Sequence, residues 1–212
     1  MRLVRVSAVT VAVLMMTVSL VWAQSAGQKP AASSSGQKPA PATAGQKPSS
    51  TGPATKSSAA PTLVFETEKG TFEIETFPEA APKTVAHIVG LVQKRFYNGL
   101  RVHRVVRDFV VQLGDPQSRD MTKKDLWGTG GSGSPIGVAE FGKGLKHAVG
   151  IVSMAHAGDP AKADSQFFIV IGPASHLDGK HQIWGRISSG MDVVNKLAVP
   201  DRIIRATVKG TT

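Results

Sequence analysis

The chain has 212 residues, no cysteine and a formal charge of +10, which excludes thiol nucleophiles, dithiol redox motifs and thiolate metal sites. The charge suggests nucleic acid or an anionic surface as partner. However, Arg2, Arg5, Lys29, Lys38, Lys47 and Lys56 precede residue 61 and all 15 acidic residues follow it, which leaves 19 of the 25 basic side chains there and a balance of +4; with no basic-and-aromatic stripe in that part, no nucleic acid is expected as partner.

Met1 to Gln24 has the pattern of a secretory leader: Arg2 and Arg5, an apolar stretch from Ala8 to Val21, and Val21-Trp22-Ala23 as a cleavage site. The stretch is shorter than the roughly 20 residues a span requires. The sequence therefore predicts a signal peptide over 1–23, a periplasmic or secreted location, and no stable membrane insertion after cleavage. Residues 24–61 hold no aromatic or acidic residue and repeat GQKP at 27–30, 36–39 and 45–48. Such a segment buries too little apolar surface to offset its ordering entropy, so a disordered tail is expected. Residues 62–212 are enough for one core and one domain.

Within that domain, "PTLVFETEKGTFEIETF" (61–77) alternates as a hairpin does, with Lys69-Gly70 as its turn. Val85, Ile88, Val89 and Val92 follow at helical spacing, with Pro82 suited to the first turn. "RVHRVVRDFVVQLGD" (101–115) predicts two strands, near 101–106 and 109–113, and its β-branched run reads as buried although Arg104 interrupts it. A long loop from Asp115 to Pro135 carries GTGGSG at 128–133. Further strands are expected at 150–155, 165–171, 181–187 and 202–208, with a short helix over 190–198. About eight short strands and two helices favour a closed or sandwiched β fold over a parallel sheet.

Few residues offer chemistry. No histidine pair has metal-ligand spacing, and His176 and His181, five apart across a turn, are a weak signal, so no metal is expected. GTGGSG is followed by no Lys-Ser/Thr, and no serine occupies a nucleophile elbow. What remains is Arg104, Gln112 and Gln166 as hydrogen-bonding groups, with Phe109, Val110, Phe168 and Leu177 as pocket walls and His181 to close it. This set has no nucleophile and no acid–base couple, and suits a reaction that breaks no bond.

Four blocks, "VHRVVRDFVVQLGDP" (102–116), "GIVSMAHAG" (150–158), "DSQFFIVI" (164–171) and "HLDGKHQIWGRI" (176–187), resemble the cyclophilin-type peptidyl-prolyl cis-trans isomerases. The resemblance implies a mainly β fold, an eight-stranded closed antiparallel β-barrel with two capping helices. It implies a catalytic Arg104, with Phe109 and Gln112 beside it and Gln112 holding the arginine. Val110, Ala155, His156, Gln166, Phe168, Leu177, His181 and His176 would contact substrate. It further implies proline-containing polypeptides as partners, no cofactor, and a monomer. His176 stands where many eukaryotic members have a tryptophan that helps bind cyclosporin, so weak cyclosporin binding is expected. His156 replaces an asparagine, Val110 a methionine and Leu113 a glycine, and "QSRDMTKKDLW" (117–127) is longer than in compact members. Two readings result: an isomerase that speeds folding of exported proteins, or a proline-peptide binding or chaperone module with little turnover.

Overall fold

The computed structural model describes residues 60–210. The expected leader (1–23) and all but the end of the repeat segment (24–61) lie outside them.

Strands β1 (Thr62–Thr67) and β2 (Gly70–Thr76) form the expected hairpin. Thr67 pairs with Gly70, so the two-residue turn is Glu68-Lys69, one residue earlier than the sequence suggests. Gly70 takes φ +129°, outside the range of side-chain-bearing residues. Helix α1 (Pro82–Gln93) begins on its proline and buries Val85, Ile88, Leu91 and Val92. Strands β3 (Arg104–Val106) and β4 (Val110–Leu113) follow, then β5 (Ile151–Met154), β6 (Phe167–Val170), β7 (Ile183–Ser189), the single turn α2 (Met191–Val194) and β8 (Ile203–Val208). The long loop is not featureless: Pro116–Arg119 and Met121–Leu126 form 3-10 turns, capped by Asp115 and Asp120.

All pairings are antiparallel, and the eight strands make one sheet in the order β3-β4-β6-β5-β7-β2-β1-β8. The edge strands β3 and β8 do not pair with each other among the described residues. One bridge, Arg101 to Arg202, joins the segments that precede them. The architecture is thus mainly β with one eight-stranded sheet; the closure expected from the family is not among its strand pairings, and the second helix is one turn rather than a full cap. The expectation of a buried 101–106 strand also fails in part. In β3 Arg104 and Val106 are exposed, because this short strand forms the sheet's edge.

The main core holds Phe65, Phe72, Tyr97, Phe167 and Trp184, all fully buried and in edge or stacked contact. A second, smaller cluster of Val110, Phe168, Val170 and Ala174 lies apart from it, with Phe109, Ile151, Ala155 and Leu177 packed against it. Strand period two explains the division. On β4, Val111 and Leu113 enter the main core, while Val110 enters the small cluster and Gln112 is half-buried. On β6, Phe167 and Ile169 enter the main core while Phe168 and Val170 enter the small cluster.

Candidate active site

The faces of β4 and β6 turned away from the main core build the site. A cleft of about 250 Å³ is lined by Arg104, Phe109, Val110, Gln112, Ala155, His156, Phe168, Leu177 and His181. Register sets the polar edge: Arg104 lies opposite Gln112 in the β3–β4 pair, and Gln112 lies opposite Phe168 in the β4–β6 pair. The guanidinium is therefore held on a strand edge beside an apolar wall, with its head in solvent rather than in the core.

A chain of hydrogen bonds fixes that edge. Arg104 Nη1 donates to Gln112 Oε1 at 3.2 Å, and Gln112 Nε2 donates to Gln166 Oε1 at 3.0 Å. Gln166 Nε2 in turn donates to the carbonyls of Gly128, at 2.9 Å, and Gly130, at 2.7 Å. The glycine loop is itself anchored by Asp115, which is fully buried and accepts from the amides of Gln117, Gly128 and Gly130. A Cβ at position 130 would collide with Asp115 Oδ1, so the close approach requires glycine. His103 lies beside this loop. Both its ring nitrogens are buried with no hydrogen-bond partner among the described residues, and burial pushes its pKa below 6.5.

The apolar wall is held by imidazoles. Phe168 packs edge-on to His181, centroids 5.3 Å apart, and parallel to the buried His147 at 6.1 Å. His147 is clamped between Asp178 Oδ1 at 3.0 Å and Ser153 Oγ at 3.1 Å. His181 Nδ1 donates to the carbonyl of Met154 at 3.0 Å, since a carbonyl can only accept, which identifies that nitrogen as the protonated one. His181 stacks on His156 with centroids 4.3 Å apart. Burial above all pushes the His181 pKa below 6.5; the hydrogen bond to the Met154 carbonyl opposes it, and the nearby His156, His147 and Lys180 add smaller pushes downward.

Nine of the eleven sequence-predicted residues thus line one cleft. Gln166 does not; it lines an adjoining cleft of about 240 Å³ that shares Gln112, Ala155 and His156 with the first. His176 is exposed and stacks on Phe109 from outside, at 5.2 Å. Sequence reasoning missed Gly128, Gly130, Asp115 and His147. The glycine run was visible, but its role as acceptor for Gln166 has no local signature. The arrangement offers a fixed cation, hydrogen-bonding amides and an apolar wall. It has no nucleophile poised on a base: the hydroxyl of Ser153, which touches His147, is fully buried and donates to the Gln182 carbonyl.

Comparison with known proteins agrees with this geometry. The family model "Cyclophilin type peptidyl-prolyl cis-trans isomerase/CLD" matches residues 62–209. The chain is 41% identical over 145 residues to peptidyl-prolyl cis-trans isomerase-like 1 of Aspergillus fumigatus, covering 66% of this chain and 83% of that one. It is 38% identical over 174 residues to a probable peptidyl-prolyl cis-trans isomerase of Brucella abortus, covering 74% and 88%. Among solved structures, a cyclophilin type isomerase of Cryptosporidium parvum, crystallised in the presence of the dipeptide Ala-Pro, superposes with a TM-score of 0.62 at 23% identity, covering 71% of this chain and 99% of that one. That last likeness is one of fold.

Proposed function

The chain belongs to the cyclophilin type peptidyl-prolyl cis-trans isomerase family, and from that premise we propose that the Arg104 cleft is where it turns X–Pro bonds of polypeptides. The observation that carries this reading is the placement of one bonded guanidinium at the rim of an apolar cleft that offers no nucleophile.

An X–Pro bond rotates over a barrier of about 18–20 kcal/mol, because rotation breaks amide resonance. Uncatalysed exchange takes roughly tens to hundreds of seconds. As resonance is lost the proline nitrogen regains a lone pair and becomes an acceptor. In either planar isomer it is a poor one. A donor aimed at that nitrogen binds the twisted state more tightly than the ground states, which is the condition for raising kcat. Arg104 supplies a donor that stays charged, and its bond to Gln112 limits where it points. Phe109, Phe168 and Leu177 would take the proline ring and exclude water, strengthening the interaction. Millisecond turnover requires lowering the barrier by about 6–7 kcal/mol. One charge-assisted hydrogen bond contributes about 1.5–3 kcal/mol, so the rest must come from desolvation and from holding the substrate partly turned. The presence of Ala-Pro with a Cryptosporidium relative of the same fold supports proline-containing peptides as ligands.

The test is a proline-limited refolding assay. Arg104→Ala is expected to lower kcat/KM at least tenfold, about 1.4 kcal/mol, with peptide affinity nearly unchanged. Undiminished activity would remove Arg104 from the mechanism. A wild type that binds proline peptides without turnover would instead establish a binding module. His176 supports weak inhibition by cyclosporin, to be read in the same assay; strong inhibition would refute it. The leader-like residues 1–23 support a role in folding exported proteins. Recovery of the protein with an intact N-terminus in the cytoplasm would contradict that role.

A further inference from the structure

A third cleft, of about 570 Å³, lies between helix α1 and the loops that carry Arg119 and Ser132. It shares no lining residue with the proline cleft, and its volume falls in the roughly 300–1,000 Å³ range of ligand sites. Leu91 is buried and Phe96 half-buried in it, while Lys94, Arg95 and Arg119 are exposed around it. No carboxylate lines it.

The charges of this cleft are unspent. Nine other lysines and arginines of the domain pair with carboxylates. Lys94, Arg95 and Arg119 form no ion pair among the described residues, which include every acidic side chain of the chain. Arg119 is nevertheless fixed: it donates to the carbonyls of Phe96 and Asn98 and lies over the Phe96 ring, 5.5 Å from its centroid. A guanidinium held in this way is pre-organised to bind a carboxylate with its remaining donors. Asp164, which contacts the lining residues Ser132 and His87, is already engaged by Ser132 Oγ and the Gly133 amide. His87, which also lines the cleft, has its Nε2 buried 3.5 Å from Asp164 Oδ1 without a hydrogen bond.

We propose that this cleft docks an acidic segment of polypeptide, separately from the proline cleft. Three cations around an acid-free hollow select for negative charge. The hollow exceeds what one oxyanion would fill, and Leu91 and Phe96 offer apolar surface to the methylenes of Asp and Glu side chains. Arg119 covers one face of Phe96, so the ring is a poor platform for a nucleic-acid base. A client anchored here would present its X–Pro bonds to the catalytic cleft at an effective concentration of order mM. That consequence rests on the isomerase reading; the docking itself does not, and is measured without turnover.

The experiment is a backbone-amide NMR titration of the protein with a blocked, proline-free hexapeptide of alternating Asp and Glu. Its Asn/Gln counterpart, inorganic phosphate and a short oligothymidylate serve as comparison ligands. Saturable shifts confined to residues 86–96, 119 and 132–134, weakened by added salt, are expected from the acidic peptide. Lys94→Glu should weaken binding by about tenfold or more. Arg95→Gly, which suits the φ of 58° found there, should weaken it several-fold without disturbing the backbone. Both variants should keep kcat/KM for a short proline peptide within twofold of wild type. Absence of saturable shifts, equal shifts from the neutral peptide, shifts confined to the Arg104 cleft, or tighter binding of phosphate or oligothymidylate would each overturn the proposal.

Discussion

Gln112 is bonded at both ends of its amide, and the direction of that chain is forced. Arg104 can only donate and the carbonyls of Gly128 and Gly130 can only accept, so both intervening glutamines must point their oxygens toward Arg104. A flip of either amide would set two acceptors or two donors face to face. Gln112 is therefore a positioning residue for Arg104. Gln112→Ala should lower kcat about tenfold with KM little changed, equivalent to about 1.4 kcal/mol. Gln112→Glu should also lose activity, because a carboxylate still accepts from Arg104 but leaves Gln166 Oε1 without its donor. Steady-state kinetics on both variants, with circular dichroism to show that the fold is intact, checks this; wild-type kcat in either would reject the relay. Arg104 and Gln112 were legible because they fall in one short block whose pattern resembles a family. The far end of the relay was not. Gly128 and Gly130 lie 38 and 36 positions from Gln166 and act through carbonyls, which every residue possesses.

At the level of strands and helices, the site depends on a sheet buried on both faces where β4, β5 and β6 meet. "FFIV" is wholly buried, so polar–apolar alternation is erased; the pattern alone predicts a strand, and the choice of Phe168 as a site residue rests on resemblance to a family rather than on alternation. Neighbouring phenylalanines then have different duties. Phe167 packs in the main core against Phe65, Tyr97 and Trp184. Phe168 lines the cleft. Phe167→Ala should cost about 3–5 kcal/mol of stability. Phe168→Ala should cost less and raise KM several-fold, as read by urea unfolding and peptide kinetics. Equal stability losses with unchanged KM would place Phe168 in the structural core alone. Helix α1 shows the same limit of local reading. Ala81 at its N-cap makes no side-chain bond. Glu140 caps it instead, accepting from the amides of Lys83 and Thr84 at 3.0 and 2.8 Å and from the Thr84 hydroxyl. The amphipathic spacing and Pro82 were visible in sequence, but a cap from 56 residues away was not. Glu140→Ala should cost about 0.5–2 kcal/mol, a fall in Tm of about 1–8 °C for a domain of this size. An unchanged Tm would mean that water replaces the cap.

For the molecule as a whole, the perturbed groups with a pH-dependent consequence agree in sign. His103 and His181 are held below 6.5 mainly by burial, so the unfolded chain binds protons more readily than the folded one. Their contribution is complete above about pH 6.5 and is lost as pH falls from there toward their folded values. The stacked His156 and His181 rings, 4.3 Å apart, oppose a second positive charge as well. Asp178, Asp120 and Asp192 are held below 3.8, chiefly by hydrogen bonds from His147, Thr122 and Lys196 respectively. Their contribution is present above about pH 4 and disappears below it as they protonate. Surface ion pairs such as Glu66–Arg205 and Glu75–Arg186 add little, about 0–1 kcal/mol each, and are screened by salt. Thermal unfolding followed across pH should therefore show Tm falling on acidification in two stages. The first begins near pH 6.5, and the second below pH 4. His181→Gln, which keeps a donor for the Met154 carbonyl, should shrink the first stage and leave the second intact. Asp178→Asn should do the reverse. Isomerase activity should weaken over the first stage too, because protonating His181 places a charge in the cleft that Phe168 and Leu177 line. A Tm flat between pH 7 and 5 would mean that these imidazoles are solvated well enough to titrate normally, and that the apolar wall behind Arg104 is wetter than its packing implies.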